Sequence, residues 1–228
     1  MNVTPSRLIA ALVLSAASFA AAAAPITPTY TTFSNLAGAT FSGSGIPTDP
    51  TAITTFLTDS GSTLTLGLTA TQRYNAPVLG NNGKGTFFAT PGGTLSPLRS
   101  LWNFDFYVHD SLNSLDATGM TYKLFYDSNP GVHTDQSSMN SFALISSMGT
   151  VQDSYNLGFM PPSGAAFDPF ANGEYSFALV AYNAAGSEVA RSAILVDVGN
   201  ADVPEPASIA LLGFGLAGLG FMRRKAQK

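Results

Sequence analysis

Apolar side chains recur at every second position in the middle of the chain, and this period limits the fold more than any other feature of the sequence. Successive side chains of a β-strand point to opposite faces of a sheet, so such alternation predicts strands with one buried face. No segment between positions 27 and 200 carries a helical apolar stripe longer than three turns. The predicted inward positions are Leu64, Leu66, Leu68 and Ala70; Trp102, Phe104, Phe106 and Val108; Tyr122, Leu124 and Tyr126; and Tyr175, Phe177, Leu179 and Ala181. On the second of these strands, the opposite face carries Asn103, Asp105, Tyr107 and His109.

Turn sequences separate the predicted strands. Residues 184–187 (Ala-Ala-Gly-Ser) connect the strand of Tyr175 to an apolar stretch at 189–198. Many short strands joined by such turns are typical of an antiparallel sandwich. We therefore predict an all-β fold, an antiparallel immunoglobulin-like β-sandwich over residues 25–200, closed by a hairpin at 173–198.

Charged side chains are scarce and unevenly placed. They make up 11% of the 228 residues, against about 25% in an average soluble domain. Between positions 24 and 206 the sequence has five basic residues against all fourteen acidic ones, an excess of nine negative charges. Nucleic acids and anionic bilayers bind clustered Lys and Arg, so this balance argues against both as partners. The five basic residues are Arg73, Lys84, Arg99, Lys123 and Arg191.

The N-terminal segment has the features of a secretory signal peptide in their usual order. Arg7 supplies a positive charge, an apolar stretch follows at 8–19, and residues 20–24 are small. We predict a signal helix at 1–24, removed by signal peptidase shortly before Pro25 once the chain has entered the export machinery. A retained membrane anchor is the alternative, although the apolar stretch is short for one.

Residues 201–228 combine a proline motif, an apolar run and a basic cluster, in that order. Two prolines at alternate positions oppose helix and hold an extended segment. A transmembrane helix over 207–222 is short for a hydrocarbon core of ~30 Å, but basic side chains that reach the interface narrow the gap. The basic cluster belongs on the cytoplasmic side, which leaves the upstream domain outside. The motif residues are Val203, Pro204, Glu205, Pro206, Arg223 and Arg224.

This arrangement resembles the PEP-CTERM sorting signal of Gram-negative bacteria, with residues 204–206 as its signature. The resemblance covers only the last 26 residues. It implies recognition by an exosortase, a membrane-embedded cysteine transpeptidase, and cleavage near the motif. It further implies a precursor in the inner membrane, a mature protein at the cell surface or outside the cell, and association with exopolysaccharide. An ordinary C-terminal membrane anchor is the alternative, but it does not explain why Pro-Glu-Pro adjoins the span.

Three segments resemble functional motifs only in part. Residues 213–218 match the dinucleotide fingerprint GxGxxG, but they lie inside an apolar run without the strand-to-helix context that the fingerprint needs. Residues 83–86 resemble a phosphate loop, but a Gly stands where Ser or Thr is required, and with two Asn residues ahead of it at 81–82 the segment is predicted to be a turn. The segment that begins at Asp127 resembles a calcium loop, but Gly131 and Ser138 occupy positions that need ligands.

Catalytic groups are equally sparse. His109, Asp110 and Ser111 are adjacent, but neighbours on a strand point to opposite faces, so we predict a polar outward edge and no catalytic relay. The sequence has no Cys, which excludes thiol catalysis, zinc–thiolate sites and iron–sulfur clusters. We therefore predict no catalytic residue, no cofactor and no metal ligand.

Three tyrosines are candidates for stacking on sugars, although packing in the core or at its rim is predicted for each. They are Tyr107, Tyr155 and Tyr182. The leading hypothesis is an exported, non-enzymatic surface or extracellular-matrix protein with a structural or adhesive role. One alternative is a secreted carbohydrate-active enzyme, recognisable by two close carboxyl groups in a pocket, one with a raised pKa. The other is a carbohydrate-binding module, recognisable by a row of exposed aromatic rings.

Overall fold

The computed structural model describes residues 26–74, 78–94, 99–115, 118–130, 136–145, 148–159 and 167–199. The predicted signal helix at 1–24, the predicted membrane helix at 207–222 and all six residues of the sorting motif lie outside the described residues. Within the described segments, no helix is long and apolar enough to span a bilayer. Strands dominate these segments, which confirms the all-β prediction.

Thirteen strands and one 3₁₀ turn make up the regular structure of the described residues. The long strands β3, β8, β9, β12 and β13 coincide with the segments that the sequence pattern marked as strands. In chain order the strands are β1 Thr32–Ser34, β2 Thr51–Leu57, β3 Thr63–Gln72, β4 Gly80–Asn81, β5 Thr86–Ala89, β6 Gly93–Thr94, β7 Arg99–Ser100, β8 Trp102–Asp110, β9 Thr121–Tyr126, β10 Asn140–Leu144, β11 Thr150–Tyr155, β12 Gly173–Tyr182 and β13 Glu188–Val198, and the 3₁₀ turn is Leu157–Phe159.

The strands form two large sheets and a small hairpin. The first sheet has the order β1-β2-β3-β8-β11, the second has the order β10-β9-β12-β13-β5-β4, and β6 pairs with β7. Among these strands every pairing is antiparallel except that of β13 with β5, which is parallel. The antiparallel prediction is thereby confirmed, whereas an immunoglobulin-like strand order stays a prediction.

The predicted inward faces meet between the two sheets and form the core. Trp102 and Phe104 on β8 lie against Phe177 on β12 of the opposite sheet, with ring centroids 5.9 and 4.7 Å apart. Ring pairs of this kind add to the free energy gained by burying their apolar area. Every residue that the alternation predicted to point inward belongs to this core, so those predictions are confirmed.

The outer face of the first sheet is covered as well, although the alternation assigned burial to the inner face alone. A loop over residues 36–47, here called the cover segment, packs Leu36 and Phe41 against Tyr107 of β8. Gly67 of β3 lies directly beneath Leu36, and a Cβ atom at that position would overlap with the leucine side chain. The first sheet is therefore buried on both faces where the cover segment crosses it.

Both predicted turns are confirmed. Between β12 and β13, the Asn183 side chain accepts hydrogen bonds from the N–H groups of Ala185 and Ser187, at 3.1 and 2.9 Å. Asn82 closes the turn between β4 and β5 in the same way. Gly83 in that turn has a φ of 70°, a conformation that glycine adopts without steric cost. The predicted closing hairpin is also confirmed, as the pair of β12 and β13.

Candidate functional site

A cleft of about 440 Å³ opens at one end of the first sheet, where β3 and β11 end and β8 begins. Strand ends supply a polar floor, the cover segment supplies a wall, and an arginine with two aromatic rings supplies a rim. The floor consists of Thr71, Gln72, Asn103, Asp153, Ser154 and Asn156, the wall of residues 41–47, and the rim of Arg73, Tyr74 and Phe159. Concave sites with a few polar groups and apolar rings are the usual setting for small-molecule binding.

The floor is a hydrogen-bonded layer above a buried acid. Asn103 Nδ2 donates to Ser154 Oγ at 2.9 Å, and the Thr71 hydroxyl donates to Asp105 Oδ2 at 2.7 Å. Asp105 has no exposed surface, and its Oδ1 atom has no hydrogen-bond partner among the described residues. Burial raises the pKa of Asp105 to about 7; the Ser154 and Thr71 hydroxyls lower it, and the charge of Asp153 raises it. The floor thus conceals a carboxyl group that titrates near neutral pH.

Gln152 of β11 holds the wall in place. Its Oε1 atom accepts hydrogen bonds from the N–H groups of Thr40 and Phe41, at 2.8 and 2.7 Å, and its carbonyl accepts one from the Ser42 hydroxyl at 2.7 Å. Phe41 and Ser42 have φ values of 48° and 56°, which are unfavourable for residues other than glycine. The buried Phe41 ring and the three hydrogen bonds offset that strain, so the wall is a fixed part of the cleft.

Two exposed aromatic rings stand at the rim. Tyr74 is 76% exposed and Phe159 is 55% exposed. Tyr74 follows β3 with a φ of 66°, so the chain leaves the strand direction at this residue. Phe159 ends the 3₁₀ turn that follows β11. The rim therefore offers two apolar surfaces to a molecule that lies in the cleft.

Two arginines lie against these rings. The Cζ atom of Arg99 is 3.6 Å from the centroid of Phe159, and that of Arg73 is 5.3 Å from the same centroid and 4.5 Å from the centroid of Tyr74. Arg73 Nη2 also donates a hydrogen bond to the Tyr74 hydroxyl. This hydrogen bond is the main cause that lowers the pKa of Tyr74, and the charges of both arginines add to it. The rim thus combines apolar rings with positive charge.

Asn156 fixes the 3₁₀ turn, and with it the rim, against the first sheet. Its Nδ2 atom donates to the backbone oxygens of Ser100 and Trp102, at 3.0 and 2.8 Å, and to Oδ1 of Asn103 at 2.9 Å. Its Oδ1 atom accepts from the N–H groups of Ser100 and Gly158, at 3.1 Å each. The side chain is buried, so these bonds are shielded from water. One residue therefore ties β7, β8 and the 3₁₀ turn together.

The three polar residues at the end of β8 do not act together. His109 Nδ1 lies 2.9 Å from the Thr150 hydroxyl, Asp110 Oδ2 accepts from the N–H of Leu112 at 3.1 Å, and Ser111 Oγ accepts a backbone N–H of β3 at 2.8 Å. These hydrogen bonds run to three different partners and do not connect the three side chains with one another. The prediction of an outward polar edge is wrong for Asp110, which follows Val108 on the inward face of β8 and is buried, with its carboxylate bonded to the N–H groups of Leu112 and Ser114 in the next turn.

Packing accounts for the three tyrosines that the sequence suggested for sugar stacking. Tyr107 is buried beneath the cover segment. Tyr155 lies in the aromatic core, 5.4 Å from the ring of Phe106. Tyr182 is half-buried, and its hydroxyl accepts a hydrogen bond from Gln136 Nε2 at 3.3 Å. The prediction of core or rim packing is confirmed for all three.

The segment that partly resembled a calcium loop holds a buried acid. Its residues 131–135 lie outside the described residues. Oδ1 of Asp127 accepts the N–H of Asn129 at 2.9 Å, and burial raises the pKa of this carboxyl group to about 7. Among the described residues, no three side chains of His, Asp or Glu converge as metal ligands.

Sequence reasoning missed the rim of the cleft. Arg73 and Tyr74 directly follow the alternating run of β3, and Arg99 and Phe159 come from two other parts of the chain. Only the fold brings them together. The available signal was a cation and an aromatic residue directly after a strand end, where the loops of a β-sandwich commonly carry function.

The sorting segment has a counterpart among known protein families. Residues 202–225 match the family model described as the PEP-CTERM protein-sorting motif. That range includes all six motif residues predicted from the sequence. A comparison with curated proteins gives no match. The motif indicates exosortase-dependent sorting of an exported protein, with exosortase and the export machinery as partners. The resemblance seen in the sequence is thus confirmed, and this chain carries the sorting motif of PEP-CTERM proteins.

Proposed function

We propose that this protein is an exported, non-enzymatic surface or extracellular-matrix protein whose β-sandwich binds saccharide in the cleft. One observation carries the proposal: the exposed rings of Tyr74 and Phe159 border a cleft whose floor is built from hydroxyl and amide groups. The apolar face of a sugar ring packs on such an aromatic ring, and its hydroxyl groups bond to polar side chains at the edge. Thr71, Asn103 and Ser154 supply both donors and acceptors for those hydroxyl groups.

The sorting motif gives this binding function a location. In our proposal the precursor resides in the inner membrane, and cleavage by exosortase leaves the mature protein at the cell surface or outside the cell. There the cleft provides a means of association with exopolysaccharide, in a structural or adhesive role. We also propose that the sandwich is immunoglobulin-like, which the mainly antiparallel pairing of the two sheets and the closing hairpin of β12 and β13 support.

A carbohydrate-active enzyme is the competing function, because a glycosidase needs two carboxyl groups at one cleft. Asp153 lines the cleft, and Asp105, with its pKa raised to about 7, lies beneath the floor. Asp105 has no exposed surface, however, and its Oδ2 atom is bonded to Thr71. A glycosidic oxygen in the cleft therefore cannot reach this acid, which favours binding without hydrolysis.

Affinity electrophoresis through gels that contain dextran, polygalacturonate or dextran sulfate tests the proposed function. The full chain is used, in a detergent without a sugar headgroup. We expect retardation by at least one polysaccharide, and at least tenfold weaker affinity for Tyr74→Ala and for Phe159→Ala, since each removes a stacking surface. A tenfold loss corresponds to about 1.4 kcal/mol.

Phe170→Ala is the matched control, because Phe170 is 58% exposed but does not line the cleft. Equal losses for Phe159→Ala and Phe170→Ala would contradict a stacking role for the rim. Absence of retardation by all three polysaccharides would refute the binding function. Release of reducing sugar by the wild type, abolished by Asp153→Asn, would favour the enzyme instead.

A further inference from the structure

Arg73 and Arg99 account for two of the five basic residues between positions 24 and 206, and both lie against the ring of Phe159. Among the described residues neither arginine forms a salt bridge, whereas Arg191 is paired with Glu188. This region has nine more acidic than basic residues, so most of its cations would be expected to lie beside a carboxylate. Two adjacent arginines without such a partner depart from that expectation. Their local charge is therefore available to an anion from outside the chain.

Each of the two arginines also has a nitrogen atom without a hydrogen-bond partner in the described part of the chain. Arg73 is only 9% exposed, yet its Nη1 atom has no hydrogen-bond partner, and the same holds for the buried Nε atom of Arg99. The stretches 75–77, 95–98 and 160–166, adjacent in sequence to the rim, contain no Asp or Glu. A buried charged donor without a partner is unfavourable. Both nitrogens are themselves buried, so an anion at the rim would balance the uncompensated charge of the arginine pair rather than contact these two atoms.

The geometry of a guanidinium group indicates which anionic groups the ligand would carry. A planar guanidinium binds carboxylate or sulfate through two parallel hydrogen bonds. Here the Arg99 guanidinium stacks on Phe159, and the Arg73 guanidinium lies over Tyr74 while it donates to the Tyr74 hydroxyl. The seat for an anion thus adjoins the surfaces that stack on a sugar ring.

We propose that the cleft selects acidic saccharides, with the acidic group of the sugar seated against Arg73 and Arg99 and its ring stacked on Tyr74 and Phe159. This inference rests on the proposed saccharide-binding function and adds the ligand class to it. Asp153 lies in the same cleft and repels a second acidic group, so the ligand is oriented with its acid at the arginine side and hydroxyl groups at the floor.

A free polyanion such as nucleic acid fits these observations less well. Two arginines neutralise few phosphates, and the excess of negative charge over the rest of the domain opposes a long polyanion. The paired aromatic surfaces favour a ligand with an apolar ring face as well as a charge. The local arrangement therefore suits a sugar that carries an acid, as uronates and sulfated sugars do.

Binding of the full chain to polygalacturonate, dextran sulfate and neutral dextran tests the selection. We expect the acidic polymers to bind more tightly than dextran, and Arg73→Gln and Arg99→Gln each to weaken acidic binding at least tenfold, so that the preference for acidic polymer over dextran is lost. The polymer that binds more tightly identifies carboxylate or sulfate as the acidic group. Arg73→Lys, which keeps the charge but loses the planar guanidinium over Tyr74, should fall between wild type and Arg73→Gln.

Lys84→Gln removes the same charge from the turn between β4 and β5, away from the cleft, and serves as the control. Equal losses for Lys84→Gln and Arg99→Gln would overturn the inference, because they would indicate unspecific attraction. If dextran binding depends on Phe159 but both arginine variants keep the preference for acidic polymers, the selection of acidic saccharides is overturned. The saccharide-binding function itself would then stand. Absence of binding to all three polymers would overturn the saccharide function as well. Thermal unfolding of each variant verifies that it is folded.

Discussion

Asp105 lies beneath the floor of the cleft with one bonded oxygen and one unbonded oxygen. An Asp in an unfolded chain has a pKa of about 3.9, whereas burial raises the pKa of Asp105 to about 7 in the folded protein. Between these two values the folded state binds more protons than the unfolded state. The free energy of unfolding contributed by this group therefore falls as the pH rises from about 4 to about 7 and is level above that.

Asp105→Asn is expected to raise the unfolding temperature at pH 8 and to reduce the difference between pH 5 and pH 8. The amide has the shape of the protonated acid and still accepts the Thr71 hydrogen bond, but it avoids the buried charge. A shift of three pKa units corresponds to about 4 kcal/mol, which is an upper bound on the gain. Thermal unfolding followed by circular dichroism at both pH values measures the effect.

Asp59→Asn, at an exposed turn position, is the control for this prediction. Burial also raises the pKa of Asp127 to about 7, so some pH dependence of the same sign remains in Asp105→Asn. An unchanged pH profile in Asp105→Asn would show that this carboxyl group is not the source of the dependence.

The alternation in β8 was sufficient to predict which face Asp105 and Tyr107 occupy, but not their burial. Both belong to the outer face of the first sheet, where the cover segment packs on Tyr107, and Asp105 is buried beneath the floor of the cleft with a hydrogen bond from Thr71. That segment is rich in Gly, Ser and Ala and has no period, so nothing in it predicts a packed layer. Its anchor, Phe41, is recognisable only once the hydrogen bond that its N–H donates to Gln152 is known.

At the scale of elements, the short 3₁₀ turn depends on its neighbours for its position. Three residues cannot hold a conformation in water, because too few hydrogen bonds offset the lost chain entropy. Asn156 supplies the missing bonds to β7 and β8. The orientation of Phe159 at the rim is therefore set by a residue outside the turn.

Asn156→Ala is expected to lower the free energy of unfolding by about 2–3 kcal/mol, because it removes five hydrogen bonds and leaves buried backbone groups unpaired. Saccharide affinity should fall with it, since Phe159 loses its support. Urea unfolding gives the first quantity and affinity electrophoresis gives the second.

Asn183→Ala is the matched control, because Asn183 also bonds to two backbone N–H groups, but in an exposed turn. We expect a loss below about 1 kcal/mol there. Similar losses in the two variants would contradict the assigned role of Asn156.

All strands of nine or more residues were predicted from the sequence, whereas of the shorter strands only β9 was. A strand of nine to eleven residues, such as β8 or β13, repeats its period often enough to be distinguished from chance. β5 has four residues, and every position of β11 is half-buried, so neither carries a readable alternation. The parallel pair of β5 and β13 is likewise a product of the fold, because no local sequence feature sets the direction of a distant strand.

At the scale of the whole molecule, export and sorting could be predicted from the sequence because each signal is a contiguous segment. The match over residues 202–225 agrees with what the order of features implied. The cleft is not contiguous in sequence, since its rim comes from the residues after β3 and from the 3₁₀ turn, with Arg99 of β7 stacked on Phe159. Sequence alone therefore identified where the protein is sent but not the surface on which it acts.

Expression in a PEP-CTERM-positive Gram-negative host, with and without its exosortase, tests the sorting prediction. With exosortase we expect the mature protein to lack the residues beyond about position 206 and to leave the inner membrane, because the motif precedes the predicted span. Intact-mass spectrometry and membrane fractionation measure both changes. Without exosortase the protein should keep its C-terminal segment and stay in the membrane.

Glu205→Ala should produce the exosortase-negative result in the positive host, while Tyr74→Ala, which alters only the cleft, should be processed normally. If the full C-terminal segment stays in the inner membrane of both hosts, the segment acts only as a membrane anchor and the sorting prediction is wrong.

The position of β13 in the second sheet has a mechanical consequence for a tethered molecule. β13 is the last strand before the sorting segment, and it lies between β12 and β5 in the interior of that sheet. Its pairing continues to the end of the described chain, where the N–H of Gly199 donates to the carbonyl of Ala89 at 3.0 Å. Tension applied to the C-terminal end and directed along β13 loads the hydrogen bonds on both sides of the strand in shear. These bonds then resist the force together. At a sheet edge pulled outward, by contrast, the bonds would break one after another.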